Sequence, residues 1–180
     1  MNSKLTVHEL CRIAIFVAVI AICAQIQVPL PGMVPFTLQV TAISLTGLVL
    51  GPKSGALATI VYVLLGAVGA PVFAGFSGGM GVIMRYTGGF ILSFPLVALL
   101  SGFGAQTGKL SWTYAGLVSG TALNLVIGMF YFSWYASASI ASSFVLAVAP
   151  FIPTSAIMII LVPHFSKAIK AALNAARVRI

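Results

Sequence analysis

The sequence predicts an all-α integral membrane protein, a bundle of six transmembrane helices with both termini on the cytoplasmic side. Of its 180 residues, 61% are hydrophobic and 6% are charged, whereas about a quarter of the residues of a soluble domain are charged. The apolar residues fall into runs at about 10–26, 37–50, 54–70, 87–105, 113–135 and 143–162, lengths suited to the roughly 20 residues that cross a hydrocarbon layer. The cations gather at the ends of these runs. Lys4, Arg12, Lys53, Lys109, Lys167, Lys170, Arg177 and Arg179 all fall on one side if the helices alternate. By the positive-inside rule that side is the cytoplasm.

The first run reads as a retained span, because it continues into Gln25, Gln27 and a proline-rich turn without a small-residue cleavage site. Its Cys11 and Cys23 would stand about 18 Å apart on a helix, too far to pair. Ala14, Ala18, Ala21 and Ala24 make a small-residue stripe of the kind that lets another helix approach closely. The second run is short, and its start can fall inside the proline-rich stretch before it. "GPKSG" separates the second and third runs, the glycine-rich residues 70–86 the third and fourth, "QTGKLSW" the fourth and fifth, and "ASASIAS" the fifth and sixth. Pro150 and Pro153 interrupt the sixth run beside Thr154 and Ser155, as in an unwound helix lining a cavity or a simple proline kink. Residues 163–180 read as a basic amphipathic segment lying at the inner interface. The chain forms a single membrane domain.

The chemistry of catalysis is missing. Glu9 is the single acidic residue, so no carboxylate pair can serve as acid and base. His8 and His164 stand at opposite ends of the chain, without the ligand cluster a metal needs. No base is placed beside a serine nucleophile. "GLVLGPKS" has neither the glycine spacing nor the Gly-Lys-Ser step of a phosphate loop. The spans hold no ionisable group to couple transport to a proton or cation gradient. An enzyme, a cofactor and a resident metal are therefore not expected. The net charge of +8 fits contact with anionic lipid headgroups, not nucleic acid, because the cations cap the spans.

Binding remains. Arg85 is the one cation on the outer side, in a connection rich in glycine. A guanidinium there can clamp a carboxylate bidentately, or snorkel to a lipid phosphate. Phe73, Phe76 and Tyr86 can supply apolar walls around it. Tyr131, Trp134 and Tyr135 end the fifth run at the same side, where an aromatic belt is the simpler reading for the last two. Asn124, within the fifth run, can hold a ligand or bridge to another helix.

Four stretches carry a family resemblance: "VPFTLQV" at 34–40, "LGPKSGALATIVYVLLGAVGAPVFAGFSGG" at 50–79, "TGGF" at 87–90 and "PFIP" at 150–153. They resemble the BioY family, the biotin-specific substrate-binding (S) components of energy-coupling factor transporters. The resemblance implies a six-helix subunit in a prokaryotic plasma membrane. It would bind biotin from outside and work with a transmembrane coupling subunit and two ATPases. It also implies that Ala14 and Ala18 dock on the coupling subunit, and that the first outer loop, about 28–36, closes over the pocket. Two departures from the family pattern bear on the ligand. Ser155 and Met158 stand where an aspartate and a lysine are common, and Ser77 and Ile91 where an asparagine and an arginine occur. Arg85 is then the cation left for the vitamin's carboxylate, and Gln39 and Ser155 are expected near its ureido ring. A different small vitamin, or a scaffold subunit that binds no ligand, are the alternatives.

Overall fold

The structure, a computed structural model, describes residues 6–28 and 34–175. Helix α1 (Val7–Gln25) starts at a capping box. Thr6 Oγ1 accepts the Glu9 N–H at 3.3 Å while the Glu9 carboxylate accepts the Thr6 N–H at 3.0 Å, satisfying donors that a helix start leaves open. The chain then forms a short antiparallel ladder, β1 (Gln27–Val28) with β2 (Phe36–Thr37), and enters α2 (Gln39–Leu50). Gly51, at φ 82°, turns it into α3 (Pro52–Ala67), whose first residue is proline, where the missing N–H costs no hydrogen bond. Residues 68–79 form a loop containing one 3-10 turn, Ala74–Phe76. Then come α4 (Met80–Ile83), α5 (Gly88–Gln106), α6 (Leu110–Ala136), α7 (Ile140–Ala147) and α8 (Phe151–Ala175).

Small residues bring the helices together. A Cβ on Gly104 of α5 would meet the backbone of Gly116 and Trp112 on α6, and one on Gly116 would meet Gly104 and Leu100. Nearer the other end of the same antiparallel pair, Phe90 fills the space over Gly128. Gly47 of α2 lies against the Ala98 carbonyl of α5, and Gly55 of α3 against Gly47. Such contacts replace the hydrophobic drive that lipid tails remove. α1 joins by larger side chains, with Ile13, Phe16, Val17, Ile20 and Ala24 buried. The outside carries exposed apolar residues such as Ile15, Ile22, Val126 and Phe130, a surface matched to lipid.

Four of the described helices are long and apolar enough to cross a membrane, at Val7–Gln25, Gly88–Gln106, Leu110–Ala136 and Phe151–Leu173. α2 and α3, with 12 and 16 residues, are shorter. The sixth run departs from its expectation. It is two helices, because the chain turns at residues 148–150, where the N–H groups of Val148 and Ala149 both donate to Phe144 O at 3.0 and 2.8 Å. Pro150 lies in that turn, and Pro153 occupies the first turn of α8, where proline disrupts no helical hydrogen bond. Neither is a kink inside one helix. The basic amphipathic stretch expected from residue 163 continues the last helix: α8 runs through Pro163 to Ala175 without a break.

Candidate functional site

A cavity of about 320 Å³ opens between α2, α5, α6 and α8, roofed by residues 34–37 and the 68–79 loop. Most of the expected binding residues line it: Gln39, Phe73, Ser77, Arg85, Tyr86, Asn124 and Ser155. Phe76 does not. Gly75 takes φ 67° and Phe76 itself φ 54°. That left-handed pair turns the Phe76 side chain out to 73% exposure. Residues 29–33 of the expected first outer loop lie outside the described residues.

The 68–79 loop is held by side chains from two helices, with a third behind them. Gln25 of α1 donates from Nε2 to Phe73 O at 3.1 Å and Val72 O at 3.4 Å, and its Oε1 accepts the Phe76 N–H at 2.8 Å. Tyr62 of α3 donates to Val72 O at 2.8 Å and accepts from Gln39 Nε2 of α2 at 2.7 Å. The Phe73 ring packs edge-on to Tyr62, centroids 5.6 Å apart, over Gly66. Sequence reading gave Gln25 no role, although an amide at the end of an apolar helix must find partners.

These bonds fix which way the two buried amides face. The Tyr62 proton goes to a carbonyl, so Gln39 must be the donor to Tyr62, and its Oε1 has no partner among the described residues. Asn124 donates from Nδ2 to Phe90 O at 3.0 Å and to Ser93 Oγ at 2.7 Å. Both N–H groups are thereby used in bridging α6 to α5, and Oδ1 remains. Gln39 and Asn124 are 5% and 2% exposed, so these acceptors belong to the depth of the cavity. Ser77 spends its proton on Ala74 O at 2.7 Å. Ser155, with Met158, lines the α8 wall and has no hydrogen-bond partner among the described residues.

Arg85 lies at the open end, exposed, with its side chain in no hydrogen bond or ion pair among the described residues. The single acidic residue of the chain is the capping Glu9, so a counterion for Arg85 must come from elsewhere. Tyr86 beside it packs edge-on to Phe132 at 6.3 Å and Tyr135 at 6.4 Å. Trp134 and Tyr135 are exposed and outside the lining. Ala14 and Ala18 face outward on α1, opposite its buried side.

The cavity can therefore take a small ligand with an anionic end near Arg85, an apolar body against the aromatic rings, and a hydrogen-bonding end among the buried amides. Comparison with known proteins agrees on one family. A solved structure described as the S-component for biotin from an ECF-type ABC transporter superposes with a TM-score of 0.84, covering 95% of each chain at 24% identity. A probable biotin transporter BioY of Pyrococcus horikoshii is 40% identical over 172 residues, 95% of this chain and 96% of that protein. The biotin transporter BioY of Thermotoga maritima is 43% identical over 129 residues, 71% of this chain and 76% of its own length. Residues 1–175 match the model of the BioY family, and the chain belongs to that family.

Proposed function

We propose that this chain is the high-affinity substrate-binding subunit for biotin uptake, passing the vitamin through an ATP-driven energy-coupling factor complex. The observation that carries the reading is the cavity itself. An unpaired guanidinium at its mouth suits a carboxylate, and two buried amide oxygens at its depth suit N–H donors. Biotin has both ends, and its fused rings suit the aromatic walls of Phe73, Tyr86 and Phe90. Relatives named biotin transporters support the same ligand.

In this reading Arg85 holds the valerate carboxylate, which is costly to desolvate unpaired. Ser77 and Ser155 contribute neutral hydrogen bonds. The subunit crosses a prokaryotic plasma membrane six times with both termini in the cytoplasm, α2 and α3 completing the crossings inside the bundle. The exposed Ala14 and Ala18 receive the coupling subunit, ATP is hydrolysed by two partner ATPases, and lipid surrounds the rest.

Titration calorimetry of the purified protein with biotin, biotin methyl ester and the Arg85→Ala variant tests this. An arginine–carboxylate contact contributes about 1.5–3 kcal/mol, so Arg85→Ala should weaken biotin by roughly 10- to 100-fold and leave the ester nearly unchanged. No saturable biotin binding by the wild type would turn attention to another vitamin or to a scaffold role. Biotin binding that survives Arg85→Ala would keep the ligand and remove Arg85 from it.

A further inference from the structure

Of the buried hydroxyls that line the cavity, two make no hydrogen bond among the described residues. A serine or threonine buried in a helix ordinarily donates to a carbonyl one turn back, and Thr46, Thr59, Ser93 and Ser143 do so, at 2.7 to 2.9 Å. Ser44 on α2 and Thr121 on α6 do not. They are 4% and 8% exposed, line the cavity, and make no hydrogen bond among the described residues. Neither oxygen is sealed in the protein; both border the cavity, so each is available to whatever fills it. Ser101 and Ser166 are also buried without a hydrogen-bond partner among the described residues, but neither lines the cavity.

Ser44 follows Gln39 on α2, and Thr121 precedes Asn124 by one turn on α6. The closed, glycine-packed part of the bundle begins just beyond, at Gly47 and Gly120. This stretch of the cavity thus carries four polar groups, two amide oxygens and two uncommitted hydroxyls, with the apolar Leu117, Ile159 and Val162 lining it beside them.

We infer that Gln39, Ser44, Thr121 and Asn124 together form the recognition floor for a cyclic urea, with the carboxylate tail of the ligand directed outward to Arg85. This rests on the biotin reading and deepens it. Gln39 Oε1 and Asn124 Oδ1 accept the two ring N–H groups, and the hydroxyls of Ser44 and Thr121 donate to the two lone pairs of the ring carbonyl. Every donor and acceptor of the urea then has a partner. The reverse orientation fits less well: a carboxylate placed there could accept from the two hydroxyls but would also face the two amide oxygens, and the ring N–H groups would lie at the Arg85 end beside a group that only donates.

The test is calorimetry with biotin and with biotin methyl ester, which keeps the urea, on wild type, Ser44→Ala, Thr121→Val and Thr121→Ser, alongside thermal unfolding without ligand. Ser44→Ala and Thr121→Val should each weaken both ligands about tenfold, the scale of one lost hydrogen bond. Thr121→Ser should restore binding, and the ligand-free unfolding midpoint should not fall, since no protein hydrogen bond is removed. Variants that bind biotin like wild type overturn the floor and leave the biotin reading standing. A loss confined to the acid places the hydroxyls at the tail and overturns it as well, and so does a fall in the ligand-free midpoint. Wild type that binds no biotin overturns the reading and the floor together.

Discussion

The half of the bundle that carries Lys53 and Lys109 and the half that carries Arg85 are built from the same helices but packed differently. In the lysine half, glycines at 47, 55, 102, 104 and 116 let backbones touch. In the arginine half the same helices present Gln39, Ser44, Phe90, Phe94, Thr121 and Asn124, and surround about 320 Å³ of open space. α5 and α6 stay close at the arginine end too, through Gly88, Gly89 and Gly128; the cavity opens between that pair and α2 and α8. Along α2, stability and recognition are drawn from different stretches of one helix.

The sharpest way to break this contrast is at the closed end. Gly47→Val puts methyl groups into the Ala98 carbonyl, an overpacking that costs about 3 kcal/mol. We expect it to lower the unfolding midpoint in detergent far more than any substitution in the cavity. An unchanged midpoint would mean that the α2–α5 contact is not what holds the bundle. A smaller effect is expected from Gln25→Ala, which removes the α1 side of the bonds to Phe73 O and the Phe76 N–H. Without direct contact to ligand, biotin affinity should fall about tenfold, equivalent to ~1.4 kcal/mol. Amide exchange in residues 70–79 should quicken at the same time. Affinity lost with no change in exchange would show that Gln25 does not act through the loop. The smallest effect is reserved for Phe76→Ala. Its ring points away from the cavity, so affinity should stay within about twofold, inside the scatter of surface substitutions. A larger loss would place Phe76 against the ligand after all.

The helical architecture was legible because composition and run length leave a membrane chain few choices. Arg85 drew notice for a similar reason, as one cation on the side expected to hold none, and the structure places it in the cavity lining. Phe76 was misread because Phe73 and Phe76 share a composition but not a backbone. The left-handed turn at Gly75 and Phe76 sends one ring inward and the other out. The break at residues 148–150 was hidden by an apolar run that continues through it, in which a proline at a helix boundary looks the same as a proline at a kink. Ser44 and Thr121 were invisible for a deeper reason. A helical hydroxyl bonded to its own backbone and one left for a ligand have the same letter, and Thr46, on the same helix as Ser44, is of the first kind. Only the pairing of every other donor reveals the difference.

Along α2, a single turn of helix separates Ser44, which makes no hydrogen bond among the described residues, from Gly47, which leaves no room for a side chain. A change of ligand in this scaffold therefore does not require a new scaffold. Substitutions at positions such as Ser44, Thr121 and Ser155 can redraw the chemistry of the cavity while the packed half carries on unaltered. A designer who wanted this bundle to carry a different ring could begin with those side chains and leave the glycines alone.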